Sequence, residues 1–330
     1  MSLQLYNPFE NMFFNNKTCF LTGEELFNEN ENITVFPEWV LQHYELSNTK
    51  FTMMDNVTFF LYKDIKLPCT NLVKTAFEKL DEEIKTAFNK GYDAVKKLDT
   101  HKLFLWTGRM VYGILYHDLI IEKESKEKKN IAFTISPALK NKFSLFHLML
   151  QSLVAPIEFG SLKPWSITVV KLKYSKEIFN YRDDTINLVF SLGTNEFGII
   201  AMLQDNEIIK QHETPLLEKI GETILHPIQF EELKARFMYN NYLLQYKPQY
   251  QIEEKENKLV ITAHPFSTTN ENNLFAKWDD KMFSEVLVEY WKPWGLKKTE
   301  IVTYPNAPIS FLENENTYEF INPESIELPF

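Results

Sequence analysis

Glycine and arginine are scarce in this chain of 330 residues. It has only 9 glycines, well below average usage, and it contains neither a G-x-G-x-x-G nor a P-loop pattern. Folds built on a glycine-rich phosphate loop are therefore excluded. Of its 35 lysines and arginines, only Arg109, Arg182 and Arg236 are arginines. Arginine is the side chain that most often binds guanine and phosphate through two parallel hydrogen bonds. Its scarcity therefore weakens the case for sequence-specific DNA binding.

Cysteines and long apolar runs are also few or missing. The 2 cysteines, Cys19 and Cys69, do not make a disulfide framework. No run of about 18 uncharged apolar residues occurs, and residues 1–9 lack the basic and apolar segments of a signal peptide. We therefore expect a cytoplasmic protein without a membrane partner. The net charge of −10 repels phosphate backbones overall, although a local basic face is compatible with it.

The chain is rich in apolar side chains, whose spacing indicates secondary structure. It is 44% hydrophobic and 15% aromatic, enough for a large core. Residues 1–69 are rich in turn signals, whereas apolar residues at intervals of three or four predict helices further along. The predicted helices cover 71–95 with a break at Gly91, 100–122, 136–153, 229–244 and 279–290. The charged run 122–129 is predicted to be a solvated loop. The predicted strands cover 166–173, 186–192, 197–203, 258–263 and 300–304, and the tail 314–330 is expected to be loosely held.

These elements predict an α+β protein, because helices and strands form separate stretches of the chain. A small N-terminal module comes first, then a helical centre, then a mixed and mainly antiparallel sheet. We place the boundary of the N-terminal module with its following helix at 1–98. The remainder, 99–330, is predicted to be a helical and α+β domain whose role the sequence does not indicate.

Several short motifs in the first hundred residues resemble those of a known family. They are Cys19-x-x-Thr22-Gly23, Val35-Phe36-Pro37-Glu38-Trp39-Val40, Leu67-Pro68-Cys69 and, on a helix, Leu80-Asp81-x-x-Ile84. The first three resemble, in order, the Cys-x-x-Cys-Gly, Glu-His-Val-Phe-Pro-Lys-Trp-Leu and Cys-x-x-Cys-Asn motifs of bacterial HNH-endonuclease-like proteins. The fourth lies on the helix that follows the last of these motifs. The resemblance implies a ββα-metal, treble-clef module. In that family four thiols hold a structural zinc, and the histidine is a general base beside a catalytic divalent metal.

This chain departs from the family pattern at the positions that carry the chemistry. The second thiol of each Cys-x-x-Cys falls on Thr22 and on Leu72 or Val73, so Cys19 and Cys69 become vestigial metal ligands. Two thiols cannot complete a tetrahedral zinc site, and His43 is the only imidazole near them in sequence. The family's histidine falls on Thr34, which cannot accept a proton near neutral pH as imidazole does. We therefore predict no metal, no cofactor and no catalytic residue here.

Two residues outside the N-terminal module are candidates for a ligand or partner site beside Thr34. Arg109 lies on the apolar helix 100–122, where it serves either as a buried ion-pair partner or as a ligand clamp. His117 is predicted near the end of the same helix, where a cation interacts favourably with the helix C-terminus. Three acidic pairs offer carboxylates for hydrolysis if separate elements bring them together: Asp183-Asp184, Glu231-Glu232 and Asp279-Asp280.

The function that these residues favour is binding without catalysis, in a degenerate relative of the HNH proteins. Two alternatives remain open. One is a metal-dependent nuclease or other hydrolase that uses carboxylates outside the HNH motif. The other is a non-catalytic nucleic-acid-binding protein, which needs a contiguous face of lysines. The partner is therefore either a protein or a nucleic acid.

Overall fold

A computed structural model describes residues 5–28, 31–245, 248–265, 274–303 and 307–328. The helices are α1 Glu38–His43, α2 Asn71–Phe88, α3 Tyr92–Lys96, α4 Thr100–Lys128, α5 Pro137–Leu150, α6 Ile208–Ile220, α7 Pro227–Leu243, α8 Asp280–Trp291 and α9 Lys298–Ile301. The strands are β1 Asn32–Thr34, β2 Lys50–Thr52, β3 Phe59–Leu61, β4 Lys66–Pro68, β5 Ile157–Phe159, β6 Ser166–Lys171, β7 Asn180–Asp184, β8 Val189–Gly193, β9 Phe197–Met202, β10 Tyr250–Lys255 and β11 Lys258–Ala263. The predicted α+β class is confirmed.

The strands form mixed and mainly antiparallel sheets. The largest has the order β6-β9-β8-β7 and is antiparallel throughout. A second sheet has the order β10-β11-β5, in which β5 pairs parallel to β11. In the N-terminal part, β1 pairs with β4 and β2 pairs with β3, both antiparallel. The predicted hairpin around Gly193-Thr194-Asn195 is confirmed as the connection between β8 and β9.

The four-stranded sheet is covered on both faces, as the alternation along β9 shows. Ile199 and Ala201 belong to the core that includes α4 and the N-terminal part of the chain. Ile200 and Met202 point to the other face and pack with side chains of α6 and α7. Because side chains alternate along a strand, a strand covered on both faces is apolar throughout, and every residue of β9 is buried.

The helical centre agrees with prediction except at the end of α4. Gly91 separates α2 from α3 with φ of +79°, a conformation that glycine adopts readily. The segment predicted to be a charged loop instead forms the last turns of α4. Lys126 pairs there with Glu122 at 3.3 Å, one turn apart, and no glycine or proline interrupts the segment. The helix ends just before Asn130, whose φ is +53°.

The C-terminal part differs from prediction at several elements. Helix α6 and the strands β5, β7 and β10 were not predicted from the sequence. The strand predicted over 300–304 is wrong, because Lys298–Ile301 form α9; residue 304 lies outside the described residues. At the start of α9, the Glu300 carboxylate accepts a hydrogen bond from the backbone N–H of Lys297 at 2.7 Å. The tail, described to residue 328, is also held more closely than expected. Gln229 Nε2 donates to the backbone carbonyl of Ile321 at 2.9 Å.

One hydrophobic cluster runs from the N-terminal module into the sheet. Its buried members extend from Phe9 to Ile261 and include most of α4. At one close contact the backbone of Gly113 in α4 lies against the side chain of Val35, so near that an added Cβ would be 2.4 Å from Val35 Cγ2. Residues on both sides of position 98 therefore share a core, and the division after residue 98 stays a prediction.

Candidate functional site

Cys19 begins a tight turn that ends at Glu24. Its backbone N–H donates to the carbonyl of Glu24 at 2.8 Å, and its carbonyl accepts from the N–H of Gly23 at 3.0 Å. Gly23 has φ of +75°, which favours glycine at this point. The hydroxyl of Thr22, at the position predicted for a second thiol, is buried and has no hydrogen-bond partner among the described residues.

Cys69 lies beside this turn, so the fold brings the two cysteine segments together. The N–H of Phe20 donates to the carbonyl of Pro68 at 2.8 Å. Thr70 caps the start of α2, accepting from the N–H of Val73. Both thiols are buried and free, and burial raises the pKa of Cys69 to about 12. A thiol of this kind is an inert packing group rather than a nucleophile.

The donor set around the two thiols does not fit a structural zinc ion. Leu72 is 62% exposed, and neither its side chain nor that of Val73 can ligate a metal. The ring of His43 contacts Glu177 instead, at 3.0 Å between Nε2 and Oε1. Within the part of the chain that the structure describes, no group of three or more His, Cys, Asp or Glu side chains could hold a metal ion.

Thr34 lies beside an open cleft between the β1–β4 pair and α2. It is the last residue of β1 and pairs with Lys66 of β4. The cleft has a volume of about 340 Å³. Its charged lining combines four carboxylates with two lysines: Glu38, Glu78, Asp81, Glu82, Lys66 and Lys74. The indole Nε1–H of Trp39, also in the lining, is buried and has no hydrogen-bond partner among the described residues. We call this cavity the Thr34 cleft.

Arg109 lies beneath this cleft and pairs with one of its carboxylates. Its guanidinium donates to both oxygens of Asp81, at 3.0 and 2.9 Å. The Arg109 side chain is fully buried and lies over the ring of Phe77 at 4.8 Å. Of the two roles considered for Arg109, the ion pair is the one that the structure contains. Because both oxygens of Asp81 accept from Arg109, this carboxylate is poorly placed to act as a base.

His117 does not lie at a helix C-terminus, because α4 continues to Lys128. The interaction predicted with the helix end is therefore wrong. Its Nε2 instead contacts the backbone carbonyl of Lys66 at 2.8 Å, which joins α4 to β4. Burial lowers the pKa of His117, so the neutral ring donates this hydrogen bond at neutral pH. The neighbouring carboxylate of Asp118 accepts from the N–H of Met54 at 3.1 Å.

Of the acidic pairs proposed from the sequence, Glu232 and Asp280 line one cavity, which is described below, whereas Asp183 and Asp184 lie apart from it on β7. Glu231 pairs with Lys234 at 2.8 Å, whereas Glu232 accepts from the N–H of Phe311 at 2.6 Å on another side of α7. Burial raises the pKa of Asp183 to about 7. Neighbouring carboxylates thus serve different contacts, as expected when adjacent side chains point in different directions.

A second cavity was not predicted from the sequence. It lies between α6, α7, α8 and the segment 307–318, with a volume of about 300 Å³. We call it the α7 pocket. Its buried polar residues include Glu213, Glu232 and Asn240, and its one arginine is Arg236. The only signal in the sequence was charge within the otherwise apolar helix 229–244, since charged residues are rarely buried without a reason.

Comparisons with known protein families, with curated proteins and with solved structures gave no match. The resemblance to HNH-endonuclease-like proteins therefore rests on the short sequence motifs given in the sequence analysis. Among the helices of the described segments, none has the length and apolar character needed to cross a membrane.

Proposed function

We propose that this protein is a non-catalytic relative of the HNH-endonuclease-like proteins that acts by binding a partner in the Thr34 cleft. Three features support the lineage. A tight turn begins at Cys19 and contains Gly23. An antiparallel strand pair, β1–β4, follows it, and Cys69 directly precedes the cap of α2. A treble-clef module also runs from a turn through a strand pair to a helix. In this chain α1, β2 and β3 lie between the two paired strands, and buried packing takes the place of zinc.

The observation that carries the non-catalytic part of the proposal is Thr34 itself. In the family a histidine at this position takes a proton from water. A threonine hydroxyl cannot act as a general base near pH 7. Asp81, the most buried carboxylate of the cleft, is occupied by Arg109. Thr34 and the paired Asp81 therefore favour binding of a partner over hydrolysis.

The charges of the cleft favour a protein partner over a nucleic acid. With Asp81 neutralised by Arg109, three carboxylates face two lysines, so the cleft offers no net attraction to a phosphate backbone. The unused N–H of Trp39 is a donor suited to a carbonyl oxygen, such as that of an extended peptide. We therefore propose a peptide segment of a protein partner, and we expect that partner in the cytoplasm.

A cleavage assay tests the non-catalytic part. Purified protein is incubated with plasmid DNA, single-stranded DNA and RNA in the presence of Mg²⁺, Mn²⁺ or Zn²⁺. The expected result is no cleavage above that of Thr34→Ala. Metal-dependent cleavage that Thr34→Ala abolishes would overturn the proposal. Cleavage that survives Thr34→Ala but is lost in Glu78→Gln would support the alternative of a hydrolase that uses carboxylates.

A peptide-display selection tests the partner class. Peptides selected on the wild-type protein should bind Trp39→Phe at least about tenfold more weakly, because this change keeps a ring but removes the N–H donor. The matched control is Trp294→Phe, which changes a tryptophan that lines neither the Thr34 cleft nor the α7 pocket and should leave binding unchanged. Salt-sensitive binding of DNA or RNA, with no peptide selected, would favour the nucleic-acid alternative instead.

A further inference from the structure

The α7 pocket contains a buried carboxylate oxygen whose capacity to accept hydrogen bonds is unused. Glu213 is 2% exposed, and its Oε1 accepts from the side-chain amide of Asn240. Its Oε2 receives no hydrogen bond among the described residues. Arg236 forms an ion pair with this oxygen, at 3.4 Å from Nε to Oε2, but its Nε donates no hydrogen bond. Buried carboxylate oxygens normally accept a hydrogen bond, so this oxygen has room for a donor in addition to its ion pair.

Glu232 provides an internal comparison in the same pocket. One of its oxygens accepts from the hydroxyl of Ser310 at 2.6 Å. The other accepts from the backbone N–H groups of Phe311 and Leu312, at 2.6 and 3.2 Å. Glu232 therefore holds the segment 310–312 in place and has a structural reason to be buried. Glu213 accepts a hydrogen bond at only one of its oxygens, which distinguishes it as the candidate ligand-binding group.

The charge of the pocket favours a cation. Five acidic side chains line it, belonging to Glu213, Glu232, Glu313, Glu315 and Asp280, against a single arginine. Burial raises the pKa of Glu232 to about 7, and Lys219 pairs with Glu313 from outside the lining, so the excess of negative charge comes mainly from Glu315 and Asp280. That arginine is already engaged, since Arg236 Nη1 donates to Glu313 Oε2 at 3.3 Å. A concave site lined mostly by one sign of charge concentrates ions of the opposite sign. An anionic ligand would have to displace Glu313 and would meet the remaining carboxylates.

The walls of the pocket favour an apolar body attached to that cation. Trp278 and Phe283 line it and contact each other, with ring centroids 4.6 Å apart. The indole of Trp278 is oriented by a hydrogen bond from its Nε1 to Asp280 Oδ1 at 2.9 Å. Aromatic faces attract organic cations through their negative quadrupole. Tyr318 also lines the pocket and is largely exposed.

We propose that the α7 pocket binds a small organic cation, with an ammonium or guanidinium head at Glu213 Oε2 and an apolar body against Trp278 and Phe283. The volume of about 300 Å³ suits a ligand at the small end of the usual range. The head group would supply the hydrogen bond that Glu213 lacks, and its charge would offset the acidic lining. This site lies on α6, α7 and α8, and it is independent of the Thr34 cleft.

Titration with three probes of one shape tests the proposal. They are 2-phenylethylammonium, the neutral 2-phenylethanol and the anionic 3-phenylpropanoate, with binding followed by calorimetry and by tryptophan fluorescence. The ammonium should bind at least about tenfold more tightly than the alcohol, and the carboxylate should not bind. Phenylguanidinium, in a fourth titration, establishes which head group is preferred. Failure of both cations to bind, or equal binding of the carboxylate, would overturn the proposal.

Two variants assign the binding to the pocket. Glu213→Gln keeps the shape and removes the charge, and it should weaken binding of the ammonium at least about tenfold. Trp278→Leu removes the aromatic wall and should also weaken binding, so it serves as the second variant should Glu213→Gln unfold. The control is Glu218→Gln, an exposed residue of α6 outside the pocket lining, which should leave binding unchanged. Binding unaffected by both pocket variants would overturn the assignment.

Discussion

Arg109 and Asp81 form a two-pronged ion pair, Nη1 to Oδ2 at 3.0 Å and Nη2 to Oδ1 at 2.9 Å. The pair joins α4 to α2 beneath the Thr34 cleft. The guanidinium is fully buried, and its Nε donates to no atom among the described residues. Asp81 therefore compensates the buried charge of Arg109, since an unpaired charge in a protein interior destabilises the folded state.

Asp81→Asn should lower the free energy of unfolding by about 3–5 kcal/mol, because it leaves the Arg109 charge buried and uncompensated. Arg109→Met should cost less, since it removes the charge and keeps an apolar side chain of similar length. The double variant should recover most of the loss caused by Asp81→Asn. Urea unfolding at pH 7 measures all three.

The control for this ion pair is Glu82→Gln on the same helix. Glu82 is exposed and lies 3.9 Å from Lys85, a contact for which we expect a change of less than about 0.5 kcal/mol. A loss for Asp81→Asn as small as that of Glu82→Gln would show that the buried pair is not needed for stability.

Gly113→Ala should destabilise the protein by about 1–3 kcal/mol, because the new methyl group would overlap the buried side chain of Val35. The ideal Cβ position is 2.4 Å from Val35 Cγ2. Shortening the partner in Gly113→Ala/Val35→Ala should recover part of the loss. Gly160→Ala is the matched control, since its nearest contact would be 3.4 Å, with Thr262. Equal unfolding midpoints for Gly113→Ala and Gly160→Ala would contradict the tight packing of α4 against the N-terminal module.

Long periodic helices could be predicted from the sequence, whereas short strands could not. The apolar spacing over 71–88 indicated α2 because eighteen residues contain several helical turns. Strands β1 and β4 have three residues each, too few to show an alternation. Tertiary contacts determine them instead: the N–H of Val35, next to β1, donates to the carbonyl of Ile65, next to β4.

Some features of the candidate sites could likewise be predicted from the sequence, and others could not. The turn at Cys19 could be predicted because Gly23 marks it locally. The pairing of Arg109 was among the roles considered, but its partner 28 residues away could not be identified from a single sequence. The α7 pocket was missed altogether, because Glu213 and Asn240 lie on different helices and meet only in the folded chain. Such contacts depend on helix packing, which sequence periodicity does not specify.

The thiols of Cys19 and Cys69 should be unreactive in the native protein. Both are buried, and the raised pKa of Cys69, about 12, leaves little thiolate at pH 8. Ellman's reagent should therefore titrate no thiol within minutes in native buffer and two in denaturant. Leu72→Cys supplies the control, since its side chain at this position is 62% exposed and should react at once. Native wild-type protein that reacts as fast as this variant would contradict the burial of the thiols.

We expect His147 to make the stability of the protein depend on pH. The buried ring contacts the carbonyl of Phe20 through Nε2 at 2.7 Å, and its Nδ1 accepts from the side-chain amide of Gln151 at 3.3 Å. Burial lowers its pKa from 6.5 to about 4. The unfolded chain therefore binds a proton between these values that the folded chain does not. The contribution of the neutral ring is complete above pH 6.5 and is lost as the pH falls toward 4, to a total of about 3 kcal/mol.

His147→Gln removes this titration and keeps an N–H that can donate to Phe20, so it should flatten the pH dependence. Several buried carboxyls also titrate in this range, but they are common to both proteins. The measured quantity is therefore the difference in unfolding free energy between wild type and His147→Gln at each pH. It should shift against the wild type by up to about 3 kcal/mol between pH 6.5 and 4. In NMR spectra, the C2 proton of His147 should not titrate between pH 5 and 8. A constant difference, or a ring that titrates near pH 6.5, would show that the imidazole is not held neutral in the folded state.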